Sequence, residues 1–154
     1  MNRRTIEMRY RGVSKTKDEH IIRPGSLTIV RGHQGSGKST WAFQESARTG
    51  AIVIEGDDWR HPNGGLYLWS SDDDCYVVLW AALEARRWLR QGRDVIVVDV
   101  FEKAMVVRQI EAIAGNAARV VRMDGNYQNH HGVSEAEIRS IKDIFEPVLG
   151  EEII

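Results

Sequence analysis

The sequence predicts an α/β fold: a doubly wound, mainly parallel sheet with helices on both faces, preceded by an N-terminal β-hairpin. Short apolar, β-branched runs alternate with longer stretches whose apolar residues recur at helical spacing, the pattern of strands joined by crossover helices. The run DVIVVDV (Asp94 to Val100) is continuously apolar between its aspartates, as a central strand covered on both faces requires. From Leu27 to Thr40, LTIVRGHQGSGKST, an apolar strand enters a glycine-rich turn and leaves it as a helix.

The elements follow in order. Thr5 to Tyr10 alternates, with Ile6, Met8 and Tyr10 on one side, and after the polar turn SKTKDE the stretch His20 to Ile22 forms a second arm. Residues 1–26 therefore read as a hairpin extension, and Pro24-Gly25 punctuates the entry to the first core strand. The helix after the glycine-rich turn ends at Gly50, and Ala51 to Ile54 is a buried strand. The segment EGDDWR puts an acidic pair at that strand's carboxyl end, on extended backbone. Residues 61–71, HPNGGLYLWSS, read as a loop or flap. Ser70 or Ser71 caps a helix whose first turn is acidic, Asp72 to Asp74, and which runs to about Arg90. Its expected buried stripe is Val77, Leu79, Trp80, Leu83, Trp88 and Leu89. Asp99 closes the next strand, Met105 to Ala114 is a helix and Ala118 to Met123 a fourth parallel strand. Ser134 to Phe145 is a last helix with Ser134 and Glu137 in capping-box register.

Composition narrows the class. A chain of 154 residues fits one domain, here residues 1–154 with a core over 27–147. A hydrophobic fraction of 42% with 28% charged residues is that of a globular protein rather than a disordered or membrane one. No apolar run nears the roughly 20 residues of a membrane helix, and the first residues lack a signal-peptide core, so the expected location is the cytoplasm. Cys75 is the single cysteine, which excludes an intrachain disulfide and a thiolate zinc site. A net charge of −1 excludes a surface coated in basic charge, though not a local groove for nucleic acid. The N-terminal cluster Arg3, Arg4, Arg9, Arg11, Lys15 and Lys17 reads either as solvated strand faces or as a contact to phosphates.

The chemistry lies at the strand ends, where open α/β sheets bind ligands. Gly32, Gly37, Lys38 and Ser39 match G-x-x-x-x-G-K-S, the phosphate loop of P-loop NTPases. Only a glycine-rich turn brings successive backbone N–H groups this close to a polyanion. The expected ATP cradle is Gly32, His33, Gln34, Gly35, Ser36, Gly37, Lys38, Ser39 and Thr40, with Lys38 reaching the β- and γ-phosphates and Ser39 ligating Mg²⁺. Transfer of a phosphoryl group to a hydroxyl needs a carboxylate to take the proton, and Asp57 is the expected base. Asp58 orients it or shapes the acceptor site, and the two can exchange roles. Arg60 is either a two-pronged grip on an acceptor phosphate or a surface arginine. Asp99 either holds Mg²⁺ or its waters, or caps the helix that follows. In GNYQNHHGV (Gly125 to Val133), Asn126, Asn129, His130 and His131 suit a lid better than a metal pair.

Together RGHQGSGKSTWA, VIEGDDWR, VIVVDV and NHHGVSEAEI with a later FEP resemble the P-loop kinases related to phage polynucleotide 5′-hydroxyl kinases, over about residues 27–147. The resemblance implies that Asp57 is the catalytic aspartate, Asp58 its companion and Arg60 the contact to acceptor phosphate. It also implies DNA as the substrate partner, with no membrane and no obligate protein partner. Phage 5-hydroxymethyluracil DNA kinases, of the same broad group, act on a base hydroxymethyl, and Trp59, Tyr67 and Trp69 are either a stacking platform for a flipped base or anchors of the flap. Two departures stand out. Val100-Phe101 follows Asp99 where relatives often carry Asn-Thr, and Tyr127-Gln128 occupies a stretch where many lids carry arginines, leaving Arg122 as the candidate lid cation. The expected activity is Mg²⁺/ATP-dependent transfer to a nucleic-acid hydroxyl; the alternatives are a small-molecule or nucleoside kinase and an ATPase switch working through a protein partner.

Overall fold

Five strands form one parallel sheet in a computed structural model that describes residues 23–60, 74–127 and 134–154. They are β1 (Leu27–Gly32), β2 (Ile52–Glu55), β3 (Val95–Val98), β4 (Ala118–Met123) and β5 (Glu152–Ile153), ordered β2-β3-β1-β4-β5. The helices are α1 (Lys38–Thr49), α2 (Gly56–Arg60), α3 (Asp74–Leu89), α4 (Ala104–Ala114) and α5 (Glu135–Ile144). The expected hairpin, the 61–71 flap with Tyr67 and Trp69, and the run from Asn129 to His131 lie wholly or mostly outside the described residues.

Alternation along each strand sends side chains to two cores. Leu27, Ile29, Ile54, Val95, Val97 and Val120 pack with α3 and α4, whereas Val30, Ile96, Val98 and Val121 pack on the opposite face with Ala42 of α1. Each fully buried aliphatic side chain contributes about 1.5–3 kcal/mol, and the pattern accounts for the continuous apolar runs of β1 and β3. The sheet is covered on both faces, as the sequence predicts.

Three local readings need correction. The acidic pair after β2 sits on the short helix α2, not on extended backbone, so Asp57 and Asp58 are separated by helical rotation rather than by a pleat. In α3 the face on the sheet is Val77, Ala81, Ala82, Ala85 and Leu89, and Leu79 and Leu83 are exposed. Trp80 and Trp88 are partly buried at the margin of that core. Alanines let α3 approach the sheet closely, which large side chains at 81, 82 and 85 would prevent. The two-residue β5 was not expected; it pairs with β4 in parallel, Val121 opposite Glu152 and Arg122 opposite Ile153.

The cause of β5 is Arg31, which is wholly buried on β1. Its five N–H groups make five hydrogen bonds. Nε donates to the Phe101 carbonyl at 2.9 Å, Nη2 to the carbonyls of Glu102 and Glu146 at 3.0 and 2.9 Å, and Nη1 to the Glu146 carbonyl and the Glu151 carboxylate at 2.9 and 3.0 Å. The guanidinium thereby ties the segment after β3 and the segment after α5 to the sheet centre. Phe101 holds a positive φ of 48°, costly for an aromatic residue, with its carbonyl captured in this way. The capping box is present: Ser134 Oγ accepts from the Glu137 N–H at 3.2 Å, and Glu137 Oε2 accepts from the Ser134 N–H at 2.8 Å.

Candidate active site

The glycine-rich turn leaves β1 at Gly32 and enters α1 at Lys38. Gly35 and Gly37 take φ of 74° and 94°, left-handed conformations that favour glycine, so the turn closes tightly over the start of α1. Beside it lies a cleft of about 570 Å³, a volume suited to a small ligand. Gln34, Gly35, Gly37, Lys38, Ser39 and Thr40 line it from the loop, and Glu55, Asp57 and Asp99 line it from the ends of β2 and β3. The expected convergence of loop, Asp57 and Asp99 is therefore present.

The members of the loop differ in posture. Lys38 Nζ donates to the loop's own His33 carbonyl at 2.7 Å. Burial pushes its pKa down to about 8, against the opposing pull of Asp99, Asp57 and Glu55. His33 and Ser36 are buried beneath the loop rather than lining the cleft, as is Gly32. Burial, then Lys142 and Lys38, lower the His33 pKa, against Asp124 and the Gly125 backbone. The Tyr127 N–H donates to the Gly35 carbonyl at 2.7 Å, so the exit of β4 is latched to the loop. Tyr127 lines the cleft with Met123, Trp41 and Gln44, giving that end an apolar and aromatic wall.

Arg60 lies almost wholly inside, 7% exposed, and its Nη1 donates to Asp57 Oδ1 at 3.2 Å and to Asp99 Oδ2 at 3.0 Å. It is therefore not a surface arginine: it gathers the expected base, Asp57, and the expected metal carboxylate, Asp99. Asp99 Oδ1 also accepts from the Val100 N–H at 2.8 Å. Burial raises the Asp99 pKa, and Arg60 with that N–H pulls it back. Gly56 permits the arrangement, because a side-chain carbon there would collide with the Asp99 carboxylate. Asp57 faces the cleft with its carboxylate 40% exposed, while Asp58 is exposed and does not line it. Trp59 is partly buried on α2 and also lies off the cleft lining.

Arg122 departs from its expected role. It sits on β4 over the Phe145 ring, 5.2 Å from the centroid, with Glu151 3.8 Å away, and does not line the cleft. Strand alternation is the reason: Met123, its neighbour, takes the cleft-facing position. Glu55 is the member the sequence reading passed over, although its signal matched that of Asp99, an acid at the carboxyl end of a buried strand. Burial raises the Glu55 pKa, and the nearby Ser39 side chain and Lys38 oppose the rise.

Mg²⁺ suits these donors. A serine hydroxyl and carboxylate oxygens are hard ligands, and Mg²⁺ in phosphate sites uses one or two carboxylates with phosphate and water rather than a protein cage. No group of three or more His, Cys, Asp or Glu is placed to hold a metal among the described residues. No helix among them is long and apolar enough to cross a membrane.

The model of the AAA domain family matches residues 27–124, and the chain belongs to that family. No curated protein matches it significantly. Among solved structures it is similar to an unliganded sugar kinase from Janibacter sp. HTCC2649, with a TM-score of 0.65 and 19% identity over 85% of this chain and 84% of that one. It is similar to the APS kinase CysC of Mycobacterium tuberculosis in complex with AMPPNP and APS, with a TM-score of 0.54 and 27% identity over 66% and 63%. A chain of the Pnkp1/Rnl/Hen1 complex gives a TM-score of 0.54 and 20% identity over 66% of this chain and 36% of that one. The fold is that of a P-loop nucleotide-binding domain of the kinase type.

Proposed function

We propose that this AAA-family chain is a Mg²⁺/ATP-dependent kinase that transfers the γ-phosphoryl group to a hydroxyl on nucleic acid, either a DNA 5′ end or a base hydroxymethyl group. One observation carries the phosphotransfer reading: Asp57 and Lys38 line the same cleft, with Arg60 bridging Asp57 to Asp99. A switch that only binds ATP needs the phosphate loop alone, whereas phosphoryl transfer needs a carboxylate beside the γ-phosphate. The nucleic-acid reading is supported by GDDWR after β2 and by the likeness to a chain of the Pnkp1/Rnl/Hen1 complex.

In this reading the loop amides and the α1 N-terminus hold the β- and γ-phosphates, and Lys38 leaves the His33 carbonyl to meet them. Ser39 and Asp99 hold Mg²⁺ or its waters, and the ion when bound neutralises charge on the phosphate oxygens. Asp57 Oδ accepts the proton of the acceptor hydroxyl as its oxygen bonds to the γ-phosphorus and the bond to the departing ADP oxygen breaks. Arg60 fixes the Asp57 carboxylate, and Asp58, Trp59 and Arg60, off the cleft lining, would meet the acceptor on its outer side. A small-molecule acceptor is the second reading, favoured by likeness to a sugar kinase and an APS kinase.

The test is transfer of labelled γ-phosphate to four acceptors: DNA with a 5′-hydroxyl, 5′-blocked duplex containing 5-hydroxymethyluracil, free nucleosides, and sugars including gluconate. Label on either DNA is expected, and label only on nucleosides or sugars moves the function to small-molecule metabolism. Asp57→Asn is expected to lower transfer about a hundred- to ten-thousandfold with ATP affinity kept. Retained transfer would remove Asp57 from the role of base.

A further inference from the structure

We infer that Tyr127 is the nucleobase platform of the cleft: the base of the donor triphosphate stacks on its ring and is held by its face rather than read at its edges. The inference deepens the kinase reading above and rests on it.

Strand order sets the direction of the ligand. The sheet runs β2-β3-β1-β4-β5, so the phosphate loop that leaves β1 divides the cleft. On the β2 and β3 side stand the carboxylates of Glu55, Asp57 and Asp99, and on the β4 and β5 side stand Met123, Tyr127 and Ile154. Trp41 belongs to the second group, because Arg119 of β4 lies over its ring, 5.5 Å from the centroid. A triphosphate whose γ-phosphate meets Asp57 lies along the loop, and its nucleoside therefore leaves towards β4. The wall on that side is apolar and aromatic, which suits a planar base and not a phosphate.

Tyr127 is anchored before any base arrives. Its N–H donates to the Gly35 carbonyl at 2.7 Å, which fixes its backbone against the loop. The ring rests by one edge on two glycines: a side-chain carbon at Gly37 would meet its Cε2 at 3.0 Å, and one at Gly125 at 2.5 Å. The rest of the side chain is open, and Tyr127 is 70% exposed while lining the cleft. An aromatic ring held at its backbone and along one edge loses little freedom when a base covers it, so the stacking gain is kept as affinity. β5 completes the wall. The Ile154 N–H donates to the Arg122 carbonyl at 2.9 Å, and the Ile154 carbonyl accepts the Asp124 N–H at 2.8 Å, which holds Ile154 at the cleft. Every base has a π-face, so a site of this kind takes adenine and guanine alike.

The experiment measures binding of ATP, GTP and ribose 5′-triphosphate, which lacks the base, by calorimetry in excess Mg²⁺ for the wild type, Tyr127→Leu and Tyr127→Phe. In the wild type, ATP and GTP are expected within about fivefold of each other, and each about five- to a hundredfold tighter than ribose 5′-triphosphate. Tyr127→Leu should weaken both purine nucleotides by a similar factor and leave ribose 5′-triphosphate within about twofold of wild type. Tyr127→Phe should restore the affinity that Tyr127→Leu loses, since the ring and not the hydroxyl is used. Equal wild-type affinity for ATP and ribose 5′-triphosphate, or a preference between ATP and GTP beyond about fiftyfold, would overturn the inference. So would unchanged purine affinity in Tyr127→Leu, a loss that falls equally on ribose 5′-triphosphate, or a loss that Tyr127→Phe shares. If Tyr127→Leu does not fold, nitration of wild-type Tyr127, read by peptide mass, should be slowed by ATP and not by ribose 5′-triphosphate, and equal protection or none overturns the inference. A wild-type protein that binds none of the three ligands would instead overturn the kinase reading itself.

Discussion

Arg31 and Lys38 stand seven positions apart on one strand, loop and helix, both carry positive charge out of water, and they are treated in opposite ways. Arg31 has five hydrogen bonds for five donors, four of them to fixed backbone carbonyls. Lys38 has one carbonyl, that of His33, and three carboxylates of the cleft whose pull does not offset its burial. A charge saturated by fixed dipoles is a structural element. A charge left short of partners, with its pKa held down to about 8, is available to a ligand that brings its own negative charge.

The largest expected effect breaks the saturated member. Arg31→Met leaves the Glu151 carboxylate, itself 6% exposed, without its close partner and frees three segments at once. Urea unfolding should show a loss of about 3–5 kcal/mol. A loss below about 1 kcal/mol would mean that the guanidinium is dispensable and the contrast empty.

Lys38→Met sharpens the other side. Removing an underpaired charge should leave stability unchanged or raised while triphosphate affinity falls. The wild type also carries a pH signature. The Lys38 pKa is depressed in the folded chain, so its charge costs stability below about 8, and that cost disappears as pH rises from about 8 to about 10.5. Triphosphate demands the charged form, so binding near pH 8 should take up about half a proton. Calorimetry in buffers of different ionisation enthalpy measures this, and Lys38→Met should abolish it. Zero uptake in the wild type would show that the lysine is not poised.

The smallest effect lies in α5, which has no buried residue and depends on its cap. Ser134→Ala should cost about 1 kcal/mol locally, speeding exchange of the Ile138 amide about fivefold with little change in global stability.

The contrast also explains what could be read from sequence. Lys38 and Ser39 were legible because the loop is local: nine consecutive residues build it. The core strands were legible because burial on both faces writes itself into composition, as in VIVV of β3. Arg31 passed as an ordinary residue after LTIV, since its acceptors lie 70 to 120 positions away. The two residues of β5 depend on that same remote clamp, so no local pattern announces them. GDDWR was read as extended because five residues are too few to show helical periodicity. In α3 large apolar residues were expected inside, yet the sheet selects the alanines that fit beneath the helix. Glu55 and Asp99 carry the same signal, and only the register of β2 on β3 shows that both reach the cleft.

The Arg31 clamp also bears on how the chain is made. During synthesis β1 leaves the ribosome more than a hundred residues ahead of Glu146 and Glu151, which hold its guanidinium. Until they emerge, sealing that strand would strand a charge away from water at a cost of several kcal/mol. The end of β1, and with it the loop that begins at Gly32, is thus disfavoured from closing on an unfinished chain, so assembly of the nucleotide cleft is timed by translation itself.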